Sequence, residues 1–203
     1  KIDKVSIYGP LLILDSVAKE MELSKLLGES GDYLLSLAYG HCVEPESVRK
    51  LANWFGRTDI HSLLNIPDVT YKRLLEALDS VEGENGAYIQ TKIFRKLNEH
   101  FKLKPEGYFY DVTNAYFYGI HCPIAKKKKK PKSMNLPQIQ IGLAVTKEEG
   151  IPIFHKVFEG NISDARTLAD ILILFKDHNI KNAIIVWDRG VSSELNISDA
   201  QKT

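Results

Sequence analysis

The stretch Gly107-Tyr-Phe-Tyr-Asp-Val-Thr113 is an aromatic and β-branched run with one acidic residue, Asp111, near its end. Such residues suit a pleated, largely buried strand, and an aspartate there is costly to bury unless something pairs with it. A second stretch, Ala183-Ile-Ile-Val-Trp-Asp-Arg-Gly190, repeats the arrangement and ends its apolar run at Asp188. Neighbouring strands lie about 4.8 Å apart, and paired catalytic metal ions lie about 3.5–4 Å apart. If the two strands are neighbours, Asp111 and Asp188 are placed to share a divalent metal ion.

Two further strands and one helix are predicted between these stretches. Residues 138–146 and 151–158 are strand-like, and a hairpin-length turn with a glycine joins them. Ser163 is expected to cap a helix whose apolar face is made of Leu168, Ile171, Leu172 and Phe175. The β-β-β-α-β order predicts a last strand parallel to the first, reached by a crossover that is right-handed in nearly all proteins. Because residues 183–187 are wholly apolar, we expect this last strand in a buried position.

The residues before about 104 show helical rather than strand periodicity. A helix is predicted from Glu46 to Phe55, just after a proline, and another after a cap at Asp68 or Thr70. One face of an earlier helix collects Leu14, Val17, Ala18 and Met21. We therefore predict an all-helical domain over residues 1–104 and a mixed α/β domain over residues 105–203.

Composition bounds the class of protein but not its function. The 203 residues carry 27 basic and 26 acidic side chains, so the overall charge of +1 gives no sign of a nucleic-acid partner. Two cysteines, Cys42 and Cys122, make no disulfide framework and fit a reducing cytoplasm. No run approaches the roughly 18 apolar residues of a membrane span. The chain begins with Lys1 rather than Met, and we expect both ends to be cut from a longer protein.

Five short motifs in the second half occur in an order that resembles one known family. They are Tyr110-Asp-Val-Thr113, Leu136-Pro-Gln-Ile-Gln-Ile-Gly-Leu143, Gly150-Ile-Pro152, Phe158-Glu-Gly-Asn161 with Asp164, and Trp187-Asp-Arg-Gly190. Together they resemble the DDE transposases of prokaryotic insertion sequences, in the group with Asp-Arg-Gly at the second acid. The resemblance covers about residues 105–203, and it extends more loosely to the helical half through Tyr8 to Pro10.

The resemblance implies an α+β or α/β chain, with the helical domain followed by a partial RNase H-like sheet that holds Mg²⁺ or Mn²⁺. Asp111 matches the first acid of the family and Asp188 the second, so the resemblance implies that both are catalytic metal ligands. Two such ions would activate water or a DNA 3′-hydroxyl for in-line attack on a phosphodiester. Implied partners are the transposon ends, the target DNA and a second copy of the chain in a synaptic complex, within a prokaryotic cytoplasm.

The third acid of the family, a glutamate in a Tyr/Arg-containing motif on a later helix, has no match here. After Asp188 the chain offers only Glu194 and Asp199, which come too soon and in a different context. We therefore expect a truncated chain with an incomplete two-metal site. Whether these 203 residues form an active enzyme is left open.

Several other residues are candidates for DNA binding or for support of the metal ligands. A run of lysines follows the first acid's strand, and it either forms a solvated loop or grips DNA phosphates: Lys126, Lys127, Lys128, Lys129, Lys130 and Lys132. Arg189 either steadies Asp188 or contacts a phosphate. Asn161 and Asp164 either support the site or contact DNA, although residues of these types are also usual in a turn and at a helix start.

The helical half is a candidate for recognition of element ends through a helix-turn-helix. The helices that begin near Glu46 and Thr70 would form it, and its basic side chains would be Arg49, Lys50, Arg57, Lys72 and Arg73. Two other functions stay open from the sequence. One is a catalytically dead DNA-binding or oligomerisation remnant, and the other is a metal-dependent nuclease unconnected with transposition.

Overall fold

The chain divides into two compact units, residues 1–103 and 104–203, in a computed structural model. The structure describes residues 6–81, 83–103, 106–128, 136–180, 183–188, 190, 197–198 and 200–201. These residues form seven α-helices and one four-stranded mixed sheet. None of the described helices is both long and apolar enough to cross a membrane.

The described secondary structure of the first unit is helical, as its periodicity predicts, apart from one isolated parallel bridge between Ile7 and Thr58. Its α-helices are α1 (Gly9–Glu20), α2 (Leu23–Leu27), α3 (Gly31–Val43), α4 (Val48–Trp54), α5 (Tyr71–Asp79) and α6 (Gly83–Phe101). Two short 3₁₀ turns, Phe55–Arg57 and Ile60–Ser62, lie between α4 and α5. Of the two predicted caps for α5, Thr70 holds the N-cap position, and its hydroxyl accepts a hydrogen bond from the Arg73 amide at 3.4 Å.

The first unit has one apolar core with a buried acid beside it. The core includes Leu11, Leu35, Leu51, Trp54, Phe55, Ile60 and Leu74. Asp15 is only 2 % exposed, and its cost of burial is offset because Lys19 lies 2.7 Å from one carboxylate oxygen. The Tyr39 hydroxyl lies 3.4 Å from the other oxygen, and burial beside this carboxylate raises the pKa of Tyr39.

The second unit is built on a sheet with the strand order β3-β2-β1-β4. Its strands are β1 (Gly107–Tyr116), β2 (Gln138–Thr146), β3 (Pro152–Glu159) and β4 (Ile184–Trp187). The β1–β2 and β2–β3 pairs are antiparallel, while β4 pairs with β1 in parallel. The predicted order and the predicted parallel pairing are therefore confirmed. At the β2–β3 turn Gly150 has φ +68°, a left-handed conformation that favours glycine.

One helix, α7 (Asp164–Asp177), covers one face of this sheet. The predicted apolar face is confirmed, because Leu168, Ile171, Leu172 and Phe175 are all buried. The Phe175 ring centroid lies 4.8 Å from that of Tyr108 and 5.9 Å from that of Phe154. Ser163 holds the predicted N-cap position, although its side chain makes no capping hydrogen bond. The opposite face of the sheet stays exposed at Phe109, Leu143, Val157, Ile184 and Val186.

Two details of the strands differ from expectation. Strand β1 continues five residues beyond Asp111 to Tyr116, because residues 112–116 keep their pairing with residues 138–142 of β2. Asp111 thus lies within a strand rather than at its end. Strand β4 is an edge strand and not a buried one: Ile184 is 60 % exposed and Val186 41 %. Its apolar composition reflects the parallel pairing on one side, whereas no described strand lies on the other.

Replacing Phe175 by alanine should destabilise the second unit by about 3–5 kcal/mol, because the change leaves a cavity between α7 and the sheet. Ile173→Ala on the same helix is the matched control, since Ile173 is 55 % exposed, and we expect a change of about 0.5 kcal/mol or less. Peptide-resolved hydrogen exchange in increasing urea measures both. Equal destabilisation in the two variants would contradict this packing of α7.

Candidate functional site

Asp111 and Asp188 lie at corresponding positions of two adjacent parallel strands. The last pair of the β1–β4 register joins Tyr110 to Trp187, and each acid is the next residue along its own strand direction. Both side chains are exposed. One Asp111 oxygen accepts a hydrogen bond of 2.8 Å from the following amide, that of Val112. Neither acid forms an ion pair with a described residue.

Asp188 lies close to a third acid, Asp164, which is the first residue of α7. A methyl group added to Gly190 would lie 3.5 Å from Asp188 Oδ2 and 3.8 Å from Asp164 Oδ2. Both oxygens therefore face the same small space. The Gly190 amide also points at Asp188 Oδ2, at 3.4 Å. Of the roles that the sequence leaves open for Asp164, the helix start is confirmed, and the same residue is also a neighbour of Asp188.

The other oxygen of Asp164 is held by two donors. The Gln140 amide nitrogen donates to Asp164 Oδ1 at 2.7 Å, and the Lys128 ammonium lies 3.3 Å from the same atom. Gln140 is completely buried. Next to it on the same sheet face, Gln138 donates to the Asn114 side chain at 3.0 Å and to the Gly160 carbonyl at 3.1 Å. A polar network thus fills the end of the core under the start of α7.

These two glutamines are the functional candidates that sequence reasoning missed. A signal for them exists in the alternation of β2, whose buried positions are Gln138, Gln140, Gly142, Ala144 and Thr146. Amides at core-facing positions need hydrogen-bond partners, because a buried unpaired polar group is costly. The pattern therefore indicates that polar partners lie opposite the first half of β2.

The lysine run is anchored at its start rather than fully solvated. Lys126 exchanges two backbone hydrogen bonds of 3.0 Å with Gln138. The side chain of Lys128 is only 27 % exposed because it contacts Asp164. Of the two alternatives left open for the run, a solvated loop does not describe Lys128, whereas Lys126 and Lys127 are exposed.

Some candidates lie outside the described residues or make no contact there. Asn161 is exposed in the turn between β3 and α7, and its side chain makes no hydrogen bond to a described residue. The candidates that fall outside the described residues are Lys129, Lys130, Lys132, Arg189, Glu194 and Asp199.

The helical unit does not form a helix-turn-helix from the two predicted helices. Helices α4 and α5 are connected by residues 55–70, whereas that motif has a turn of about three or four residues. Most of the basic side chains predicted to contact DNA through this motif also have partners within the helical unit. Arg49 stacks on Tyr71, and the ion pairs are Lys50–Glu46, Lys72–Glu76 and Arg73–Asp68.

Within the part of the chain that the structure describes, no three His, Cys, Asp or Glu side chains are grouped closely enough to hold a metal ion. The available donors are carboxylate oxygens, which suit Mg²⁺ and Mn²⁺. No protein-family model, curated protein or solved structure matches this chain.

Tyr110 connects the strand that carries Asp111 to the core. It is 1 % exposed, and burial raises its pKa to about 12; the nearby Thr167 hydroxyl opposes this shift, and the carboxylates of Asp170, Asp164 and Asp111 add smaller upward contributions. An unfolded tyrosine titrates near 10. The neutral phenol is therefore favoured by the folded state. Its stabilising effect is fully present below pH 10 and is lost as the pH rises from about 10 to about 12.

Tyr110→Phe should therefore reduce the alkaline loss of stability. Between pH 9 and pH 11 the wild type should lose about 1 kcal/mol more unfolding free energy than the variant, since one pKa unit corresponds to about 1.4 kcal/mol. Urea unfolding at the two pH values measures the difference. Identical pH dependence in wild type and variant would show that this phenol titrates normally in the folded protein.

Proposed function

We propose that the second unit is the first part of an RNase H-like catalytic core, in a transposase of the DDE type. The parent activity is metal-dependent DNA cleavage and strand transfer. Asp111 and Asp188 are its first two acidic ligands. The observation that carries the proposal is their position at corresponding points of adjacent parallel strands, within a β-β-β-α-β unit.

The residues present fit a divalent cation in part. Asp111 and Asp188 are exposed carboxylates without a described ion pair, and Mg²⁺ is commonly held by one or two carboxylates while it keeps several waters. When bound, the ions would supply charge stabilisation to the attacking and leaving oxygens. The role of the two aspartates is to fix the position of that charge at the end of β4. The 203 residues hold no match to the family's third acid, so we expect weak metal binding and negligible cleavage by this chain alone.

The DNA partner is proposed from the basic segment that follows β1. Lys126 and Lys127 are exposed, and the backbone pairing of Lys126 with Gln138 starts this segment on the side of the sheet where Asp164 begins α7. The proposal is that DNA phosphates contact these two exposed cations. A second copy of the chain in a synaptic complex is part of the same proposal.

Two alternatives predict different behaviour. A catalytically dead remnant would bind DNA or another copy of the chain without any effect of a divalent ion on Asp111. A metal-dependent nuclease would nick DNA with these acids but would not join ends. The metal response of Asp111 variants separates the first alternative from the proposal, and end joining separates the second.

In the first test, a Mn²⁺ concentration of about ten times the dissociation constant should raise the melting temperature of the wild type by a few degrees. Asp111→Asn should abolish most of that shift, because one of the two ligands loses its charge. Asp177→Asn is the control, since Asp177 is exposed at the last residue of α7. Differential scanning calorimetry measures the shifts.

An equal shift in wild type and Asp111→Asn, or no shift at all, would contradict the proposed metal site. Plasmid is incubated in parallel with each protein and Mn²⁺. Strong nicking by the wild type that disappears in Asp111→Asn would show instead that an acid within these residues completes the site.

In the second test, Lys126→Ser combined with Lys127→Ser should weaken duplex binding. The log–log salt slope should fall by about 0.9 for each phosphate that the variant no longer neutralises. Lys128 is kept, because its replacement would break the ion pair with Asp164. Lys147→Ser combined with Lys176→Ser is the control, since it removes the same charge from exposed positions elsewhere in the unit. Fluorescence anisotropy at several salt concentrations measures the slopes, and equal slopes for the two double variants would show that the run binds no phosphate.

A further inference from the structure

The segment after β1 carries two strongly exposed apolar side chains. This segment, the aromatic loop, comprises residues 117–125 and ends at Lys126. Among the large apolar side chains of the described residues, those of Ile120 and Tyr118 are the most exposed, at 91 % and 76 %. Single exposed apolar side chains are common on protein surfaces. Two of them, only two positions apart on one loop, favour a surface that contacts a partner.

The aromatic loop is held at both ends by the backbone at the start of β2. The Phe117 amide donates to the Pro137 carbonyl at 2.8 Å, and Lys126 exchanges two hydrogen bonds of 3.0 Å with Gln138. Consecutive residues of an extended strand direct their carbonyls to opposite edges. Phe117 and Lys126 therefore lie on opposite edges of the same strand, about 10 Å apart, which is two strand spacings.

The backbone around Tyr118 is restrained in the same way. A methyl group added to Gly119 would lie 2.5 Å from Cζ of Phe117, so the Phe117 ring lies against the backbone just after Tyr118. Further along the loop, the Gly160 amide donates to the Ile124 carbonyl at 3.1 Å. A tyrosine on a restrained backbone loses little conformational entropy on binding, because only two side-chain dihedral angles have to be ordered.

The charge of the surrounding sequence favours an anionic partner. Between Asp111 and Glu148 there is no acidic residue, although the whole chain has 26. Lys126 and Lys127, which directly follow the aromatic loop, are exposed. The stretch of chain that carries Tyr118 and these two lysines therefore bears only positive charge.

An exposed aromatic ring beside exposed cations has the chemistry that recognises a nucleobase and its phosphates. Aromatic side chains stack on successive unpaired bases, while cations follow the backbone of the strand. Within a duplex the faces of each base are covered by its neighbours, so a ring on a surface loop reaches a base only where the base is unpaired.

We propose that the aromatic loop binds single-stranded DNA, with the Tyr118 ring stacked on an unpaired base and Lys126 and Lys127 at the neighbouring phosphates. The proposal rests on the proposed function, in that DNA is the partner. It adds the form of DNA that is bound and the aromatic group that contacts it.

The test is fluorescence anisotropy of the full chain with a labelled thymidine oligonucleotide of about twelve nucleotides, a length in the range that single-strand-binding folds cover. Tyr118→Ala should weaken binding of this single strand about 5- to 150-fold, the usual effect of losing one stacked base. Binding of a duplex of the same length should change by about twofold or less. Because stacking neutralises no phosphate, the log–log salt slope should stay the same, whereas Lys126→Ser combined with Lys127→Ser should lower it.

Two further variants keep the test specific to the ring. Tyr118→Phe retains the ring and should bind the single strand within about twofold of the wild type. Tyr88→Ala is the matched control, since Tyr88 is also an exposed tyrosine with a lysine beside it: its ring is 59 % exposed, and the Lys92 ammonium lies 4.3 Å from the ring centroid. It should bind like the wild type. Circular dichroism checks that each variant is folded.

The outcomes separate this proposal from the proposed function. If Tyr118→Ala binds the single strand like the wild type while the double lysine variant binds both oligonucleotides more weakly, the proposal is overturned and the proposed function stands. If neither oligonucleotide binds the wild type, the proposal and the DNA partner both fail.

Three other results would also overturn the proposal. The first is equal weakening by Tyr118→Ala for single strand and duplex, and the second is weakening by Tyr118→Phe or Tyr88→Ala as large as that by Tyr118→Ala. The third is binding to phosphatidylserine vesicles that depends on Tyr118 in the absence of oligonucleotide binding, which would identify a lipid surface as the partner.

Discussion

The parallel pairing of β1 with β4 is the interaction on which the arrangement of the second unit depends. It consists of only four residue pairs, from Gly107–Ile184 to Tyr110–Trp187. So short an edge pairing gains little from its own side chains, because Ile184 and Val186 remain largely exposed. Helix α7 leads to β4 in the chain, and its Phe175 ring packs on Tyr108 of β1. The position of Asp188 relative to Asp111 therefore depends on these four residue pairs and on a crossover that the core holds against the sheet.

Helix α7 begins with Asp164, a polar residue that contacts a buried amide of β2. Gln138 and Gln140 occupy buried strand positions where apolar residues would pack without any need for partners. Their hydrogen bonds to Asn114, Gly160 and Asp164 offset much of the cost of burial. Within this network the Gln140 amide donates to the carboxylate of the first residue of α7 and so restricts the orientation of Asp164. The buried Gln140 amide orients the Asp164 carboxylate through a hydrogen bond, which an apolar side chain at the same position could not do.

The residue pattern within each segment predicts the strands of the second unit well. It does not predict which side chains from different segments contact one another. The bounds of β2, 138–146, match the expectation, because alternation and the Gly150 turn are both local signals. The apolar run stops near Val112 and predicts a strand end at Asp111, yet the ladder to β2 continues because pairing does not require apolar side chains. The contact of Asp164 with Gln140 spans 24 residues, and that with Lys128 spans 36. No periodicity within a segment encodes such contacts, so the support of the site is visible only in three dimensions.

The lysine run shows that the number of lysines in a segment does not tell which of them are able to bind an external anion. Its members are chemically identical, yet Lys128 is held against Asp164 while Lys126 is fixed only through its backbone and exposes its side chain. The charge of Lys128 is largely neutralised by that carboxylate, whereas the exposed lysines keep their charge for an external anion.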